Sequence, residues 1–245
     1  MLEIGLDHYN EMLRYERDMD YLRVLSQWVV NTDQHVQIYG FDDPIEYVFN
    51  LVGFYSREFA EDIYKQGQVL PQTTNRMKSG LDTLLPLLGI TSDDLVTARV
   101  NQLYQNSGFW EMRRFLGPMV SLAEDLKKDG ITSIVSVAVS GCVIADYLGL
   151  LLENLQVEVP VYHMLLARAG TMPVAGMLSG AARLGERVLI VDDAVWEART
   201  LPVVVKKLKE VSPDSELRFY ALDTDPRVDI LKILPEISYE YTLEE

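Results

Sequence analysis

The chain has a single cysteine, Cys142, among 245 residues. An intrachain disulfide is therefore excluded, and so is a metal centre built mainly from thiolates. Only three histidines occur, none in an H-E-x-x-H pattern, so a zinc hydrolase has no support. No apolar run reaches the roughly 18 residues that cross a bilayer. The start, Met1-Leu2-Glu3-Ile4-Gly5, lacks the basic residues and apolar core of a secretion signal. A cytoplasmic protein without a membrane partner is expected. Cations are scarce: 22 Lys and Arg stand against 37 Asp and Glu, a formal net charge of −15. Such a surface repels phosphate backbones, and Lys206, Lys207 and Lys209 form only a short run in a helical pattern. Nucleic acid is not an expected partner.

What is present is a globular composition, 48% hydrophobic, in two halves of different period. Met12, Tyr15, Met19, Leu22, Leu25 and Val29 repeat at helical spacing. Asp42-Asp43-Pro44 opens a second helix, carried on by Ile45, Val48, Val52, Tyr55, Phe59 and Ile63. Further helices are expected over 76–88, after Thr91-Ser92-Asp93-Asp94, and over 109–128. The second half turns β-rich at 131–139, helical at 143–154 and β-rich again at 157–166. A strand at 188–191, a helix at 200–211 and strands at 216–222 and 237–242 follow. Alternation of this kind predicts an α/β fold with a parallel sheet. An all-helical domain over 1–108 is expected to precede an α/β domain over 109–245.

Two strand ends carry candidate chemistry. The first runs into Ser140-Gly141-Cys142, a small turn at a helix start whose free N–H groups could receive an anion. An ordinary strand-to-helix turn is the plainer reading. The second is Val188-Leu189-Ile190-Val191 running into Asp192-Asp193. On a strand the two acids point to opposite faces; just past its end both can face one ligand. Acids so placed suit vicinal sugar hydroxyls or Mg²⁺, with helix capping as the plainer reading. His163 reads as a packed or half-exposed strand histidine and Cys142 as a small buried apolar group.

This order of elements resembles the type I phosphoribosyltransferase family over residues 131–225. The resemblance implies a parallel-sheet phosphoribosyltransferase-like domain that binds phosphoribosyl pyrophosphate or a related nucleotide with Mg²⁺, as a homodimer. It implies that Asp192 and Asp193 brace the ribose, and through them the metal. Ser140, Gly141 and Cys142 would take the pyrophosphate turn. Ala167-Arg168-Ala169-Gly170-Thr171 would be the mobile catalytic loop, with Arg168 touching pyrophosphate. The 5′-phosphate loop would be Trp196, Glu197, Ala198, Arg199 and Thr200.

That loop departs from the family's Thr-Thr-Gly-x-Thr, and only Thr200 matches. Two hydroxyl donors are missing, and Ala198 stands where a glycine could take positive φ. Glu197 would repel a phosphate by about 4 kcal/mol per unit charge at a separation of about 4 Å. Arg199 offsets part of this only if it turns inward. Two readings stand: a ligand-binding relative that has lost transfer, and an active Mg²⁺-dependent transferase acting on an unidentified nitrogen base.

Overall fold

The acidic strand lies in the middle of a six-stranded sheet of order β3-β2-β1-β4-β5-β6. The structure, a computed structural model, describes residues 44–66, 70–87, 108–138, 141–169, 172–179, 182–195 and 198–242. The strands are β1 Ser133–Val137, β2 Val161–Ala169, β3 Met172–Met177, β4 Arg187–Val195, β5 Glu216–Thr224 and β6 Ile237–Tyr241. The helices are α1 Pro44–Gln66, α2 Pro71–Leu87, α3 Gly108–Lys128, α4 Cys142–Asn154, α5 Leu201–Val211 and α6 Ile230–Ile233. All pairings are parallel except β2 with β3.

The α/β class and the parallel sheet agree with the expectation from the sequence. The expected stripe of α1 is also present. Val52, Tyr55, Phe59 and Ile63 are all buried, and the helix begins at Pro44. The 12–29 stripe and the helix expected after Thr91 lie outside the described residues. Helix α2 begins at Pro71, five residues before the expected start. Its entry is held from a distance: the Asp62 carboxylate of α1 accepts from the Leu70 N–H at 2.9 Å and from Thr73 Oγ1 at 2.6 Å. A cap supplied by another helix leaves no local signal.

Both faces of the sheet are covered. Helices α1, α3 and α4 share one apolar cluster with Ile134, Leu165, Leu189 and Val191. Helices α5 and α6 share the other with Val135, Met164, Val188 and Ile190. Successive residues of β4 alternate between the two cores, as a strand buried on both sides requires.

Two expectations need correction. The stretch 167–171 is not simply a loop: Ala167, Arg168 and Ala169 complete β2, which turns into the antiparallel edge strand β3. The sequence hid β3 because Met172–Met177 contains Pro173 and Gly176. An edge strand tolerates Pro, since its N–H need not join a ladder, and the register shifts at Ala167/Arg168 beside it. The second correction concerns β4, which does not end at Val191. It pairs with β5 through Val195, so Asp192 and Asp193 lie inside the ladder. The nine-residue β5 supplies partners that the apolar run of β4 alone could not reveal.

Candidate functional site

The connections decide where a ligand could sit. From β1 the chain crosses by α4 to β2 on one side; from β4 it crosses by α5 to β5 on the other. The direction of winding reverses between β1 and β4. In open α/β sheets, ligands bind in the crevice outside the carboxyl ends of the strands at such a reversal. Here that crevice is bounded by the turn after β1 and by the far half of β4.

Gly141 closes the turn after β1. Its φ of −74° and ψ of −11° suit any residue. A Cβ there would lie 2.6 Å from the Val191 carbonyl oxygen, 3.0 Å from that of Val137 and 3.1 Å from Asp192 Cα. Glycine is thus required for close approach to β4, not for a flexible turn. Ser140 lies outside the described residues. Cys142, the first residue of α4, is buried, and its sulfur accepts from Ser136 Oγ at 3.3 Å.

Strict alternation would put Asp192 on the side of Val188 and Ile190 and Asp193 on the side of Leu189 and Val191, but Val195 just beyond packs with Val188 and Ile190, so the alternation does not run to the strand's end. Asp192 is buried, and its Oδ1 accepts from the Asp193 N–H at 2.9 Å. Asp193 is half-exposed. The ladder with β5 continues past both acids, so they lie within the strand rather than beyond its end. Among the described residues, no group of three His, Cys, Asp or Glu could hold a metal.

Beyond β4, Trp196 and Glu197 lie outside the described residues. Ala198 is buried and adopts φ +52°. The alanine does not prevent the left-handed conformation; it takes it, at a cost of about 1–2 kcal/mol. Arg199 is exposed, and Thr200 caps α5 without a side-chain capping hydrogen bond. Three terms decide the effect of Ala198→Gly. Relief of strain gains about 1–2 kcal/mol. The looser unfolded chain costs about 0.5–1 kcal/mol, and the lost buried methyl about 0.8 kcal/mol. They nearly cancel. Chemical denaturation should show Ala198→Gly within about 0.5 kcal/mol of the parent. Ala145→Gly, fully buried inside α4, should lose about 2 kcal/mol because no strain is relieved.

A second constellation was not legible in the sequence. Ser56 of α1, Asp146 of α4, His163 of β2 and Ser136 of β1 meet between the helices and the sheet. The Ser56 hydroxyl bonds the Asp146 carboxyl and lies 3.4 Å from His163 Nε2. His163 Nδ1 lies 2.7 Å from Ser136 Oγ. All four side chains are buried, at 7% exposure or less. A substrate has no access to them, so the expectation of a packed strand histidine stands, with polar rather than apolar neighbours. Four elements contribute one residue each, and no spacing links them.

No protein-family model matches the chain, and no curated protein matches it. Among solved structures, it is similar to the purine phosphoribosyltransferase from Pyrococcus horikoshii Ot3. The identity is 22% over 54% of this chain and 83% of that one, with a TM-score of 0.38. It is similar to the L. donovani hypoxanthine-guanine phosphoribosyltransferase at 20% identity, over 56% of this chain and 79% of that one, TM-score 0.40. It is also similar to the adenine phosphoribosyltransferase of Thermoanaerobacter pseudethanolicus at 17% identity, over 55% and 82%, TM-score 0.40. About half of this chain is similar to solved phosphoribosyltransferases, and the likeness is one of fold.

Proposed function

We propose that the protein binds a ribosyl phosphate ligand, phosphoribosyl pyrophosphate or a related nucleotide, in the crevice between β1 and β4, without group transfer. The observation that carries this reading is the joint placement of Gly141 and Asp193 at the winding reversal. Gly141 brings the turn after β1 to within van der Waals contact of β4. Asp193, the residue after the Asp192 that Gly141 approaches, is half-exposed and suited to accept from a ribose hydroxyl. Asp192 supports Asp193 from within the ladder by accepting its N–H. Thr200, at the start of α5, keeps a hydroxyl that its own helix does not use for capping. Arg168, at the end of β2, is the proposed cation for the pyrophosphate.

Loss of transfer follows from the same residues. The phosphate loop holds Glu197 where the family has a hydroxyl donor. Mg²⁺ would arrive with the phosphates and meet the acids of β4. The second reading, an active Mg²⁺-dependent transferase, rests on Asp193 and Thr200 keeping family positions.

Calorimetric titration with phosphoribosyl pyrophosphate, with and without Mg²⁺, tests the proposal. Binding is expected, and no heat at millimolar ligand sinks the reading. Asp193→Asn should weaken affinity about 10- to 100-fold, the worth of a hydrogen bond to a charged group. Unchanged affinity would remove Asp193 from the site. Release of pyrophosphate in the presence of purine bases would overturn the loss of transfer in favour of the second reading. A homodimer, expected from the family, is checked by sedimentation.

A further inference from the structure

The buried cluster of Ser56, Ser136, Cys142, Asp146 and His163 poses a problem of proton counting. The Ser136 hydroxyl donates to Cys142 Sγ at 3.3 Å. Its oxygen must then accept at 2.7 Å from His163 Nδ1, which therefore carries a proton. In a neutral imidazole that leaves Nε2 as an acceptor. Nε2 faces Ser56 Oγ at 3.4 Å and Asp146 Oδ2 at 3.6 Å. Ser56 Oγ also bonds Asp146 Oδ2. The triangle of Asp146 Oδ2, Ser56 Oγ and His163 Nε2 thus has three potential acceptors and one serine proton, for which the Gly53 carbonyl oxygen at 3.3 Å also competes. With only that proton, two acceptor atoms would oppose each other in a buried site. One further proton is required, on the carboxyl or on the imidazole.

We propose that this proton resides on Asp146, so that Asp146 and His163 form a neutral one-proton pair that latches α1 to the sheet through Ser56. Burial favours this placement, because an ion pair would place two charges in a site closed off from solvent. The ionisable groups around it are few. Arg57 of α1 lies near Asp146 but is engaged by Glu153 at 2.7 Å and Glu61 at 3.3 Å. Glu153 belongs to α4 itself. From β1 the sequence Ser133–Val137 contributes no charge. On this face β4 presents Leu189 and Val191, with Asp193 further along. Burial raises Asp146 to about 7, opposed by the Ser56 hydrogen bond and the Arg57 charge, and lowers His163 to about 4.

The two shifts have opposite consequences for stability. The raised Asp146 gives stability that is present at low pH and lost as pH climbs from about 4 to about 7. The lowered His163 withholds stability at low pH and restores it as pH climbs from about 4 to about 6.5. Folded or unfolded, the pair carries one proton between about pH 4 and 6.5. Its net contribution is therefore nearly flat there. Removing either partner exposes the slope of the other.

Nitrogen-15 NMR of the imidazole in the full chain reads the proposal directly. At pH 6, His163 should be a neutral ring protonated at Nδ1; an imidazolium signal overturns the neutral pair. Hydrogen exchange reads the latch. Ser56→Ala should reduce protection of the amides of α1 about tenfold and leave those of β4 unchanged. Equal protection overturns the docking role. Asp146→Asn mimics the protonated acid and should keep α1 protection within about twofold. Its midpoint in denaturant should rise with pH between 4.5 and 6.5, while that of His163→Gln should fall. Slopes of the same sign in both variants overturn the shared proton.

Discussion

Gly141→Ala is expected to destabilise the protein by about 3 kcal/mol and to abolish ligand binding in the crevice. The reasoning is purely steric. The φ of −74° is allowed to alanine, so no backbone strain enters. The added Cβ meets two carbonyl oxygens and a Cα, at 2.6, 3.0 and 3.1 Å. These are backbone atoms of β1 and β4, and they cannot swing aside as a side chain tip would. The turn after β1 must move away from β4, and the crevice between the two strands opens with it. Gly117→Ala is the control. No atom lies within 4 Å of its Cβ position on α3, and the substitution should gain about 1 kcal/mol from helix propensity. Chemical denaturation of both variants measures the difference. A Gly141→Ala variant as stable as the parent would remove the close approach from the account.

Phe59→Ala should cost about 3–4 kcal/mol and lower Tm by roughly 10 °C, with unfolding still a single transition. Phe59 is fully buried on α1, in the cluster that also holds Leu148 of α4 and Leu189 of β4. A cavity of phenyl size between two helices and a sheet closes only partly, which sets the magnitude. A loss of this order is a large share of the 5–15 kcal/mol that a folded chain commands. Differential scanning calorimetry decides between two pictures. Residues 1–108 were expected to form a helical domain of their own. If α1 unfolds in an earlier, separate transition, that expectation gains; if it unfolds with the sheet, the shared cluster governs.

The parts of the fold legible in the sequence were those with strong local periods. Helix α1 was readable from Pro44 and its apolar stripe. Strand β4 was readable from four consecutive apolar residues buried between two cores. Strand β3 was not, because Pro173 and Gly176 argue against a strand anywhere but at an edge. The start of α2 was not, because its cap comes from Asp62 on another helix.

The candidate site divides in the same way. Asp192 and Asp193 were visible as acids following an apolar run, and Gly141 as a small residue in a turn. Their geometry was not visible. Whether β4 stops at Val191 or continues to Val195 depends on β5, some thirty residues away in its pairing. That pairing alone puts both acids within the strand. Ala198 shows the converse: its side chain argued against positive φ, yet the packing around it holds φ at +52°.

The α/β class, most helices and strands among the described residues, and the position of the acidic strand were legible from local pattern, because each follows from contacts between near neighbours in the chain. Only assembly of the sheet set the edge strand, the extension of β4 past the acids, the close approach of Gly141 to β4 and the meeting of Ser56, Ser136, Asp146 and His163. Each of these is set by atoms that meet only when the sheet is assembled. No local pattern can record a partner that distance in sequence has hidden.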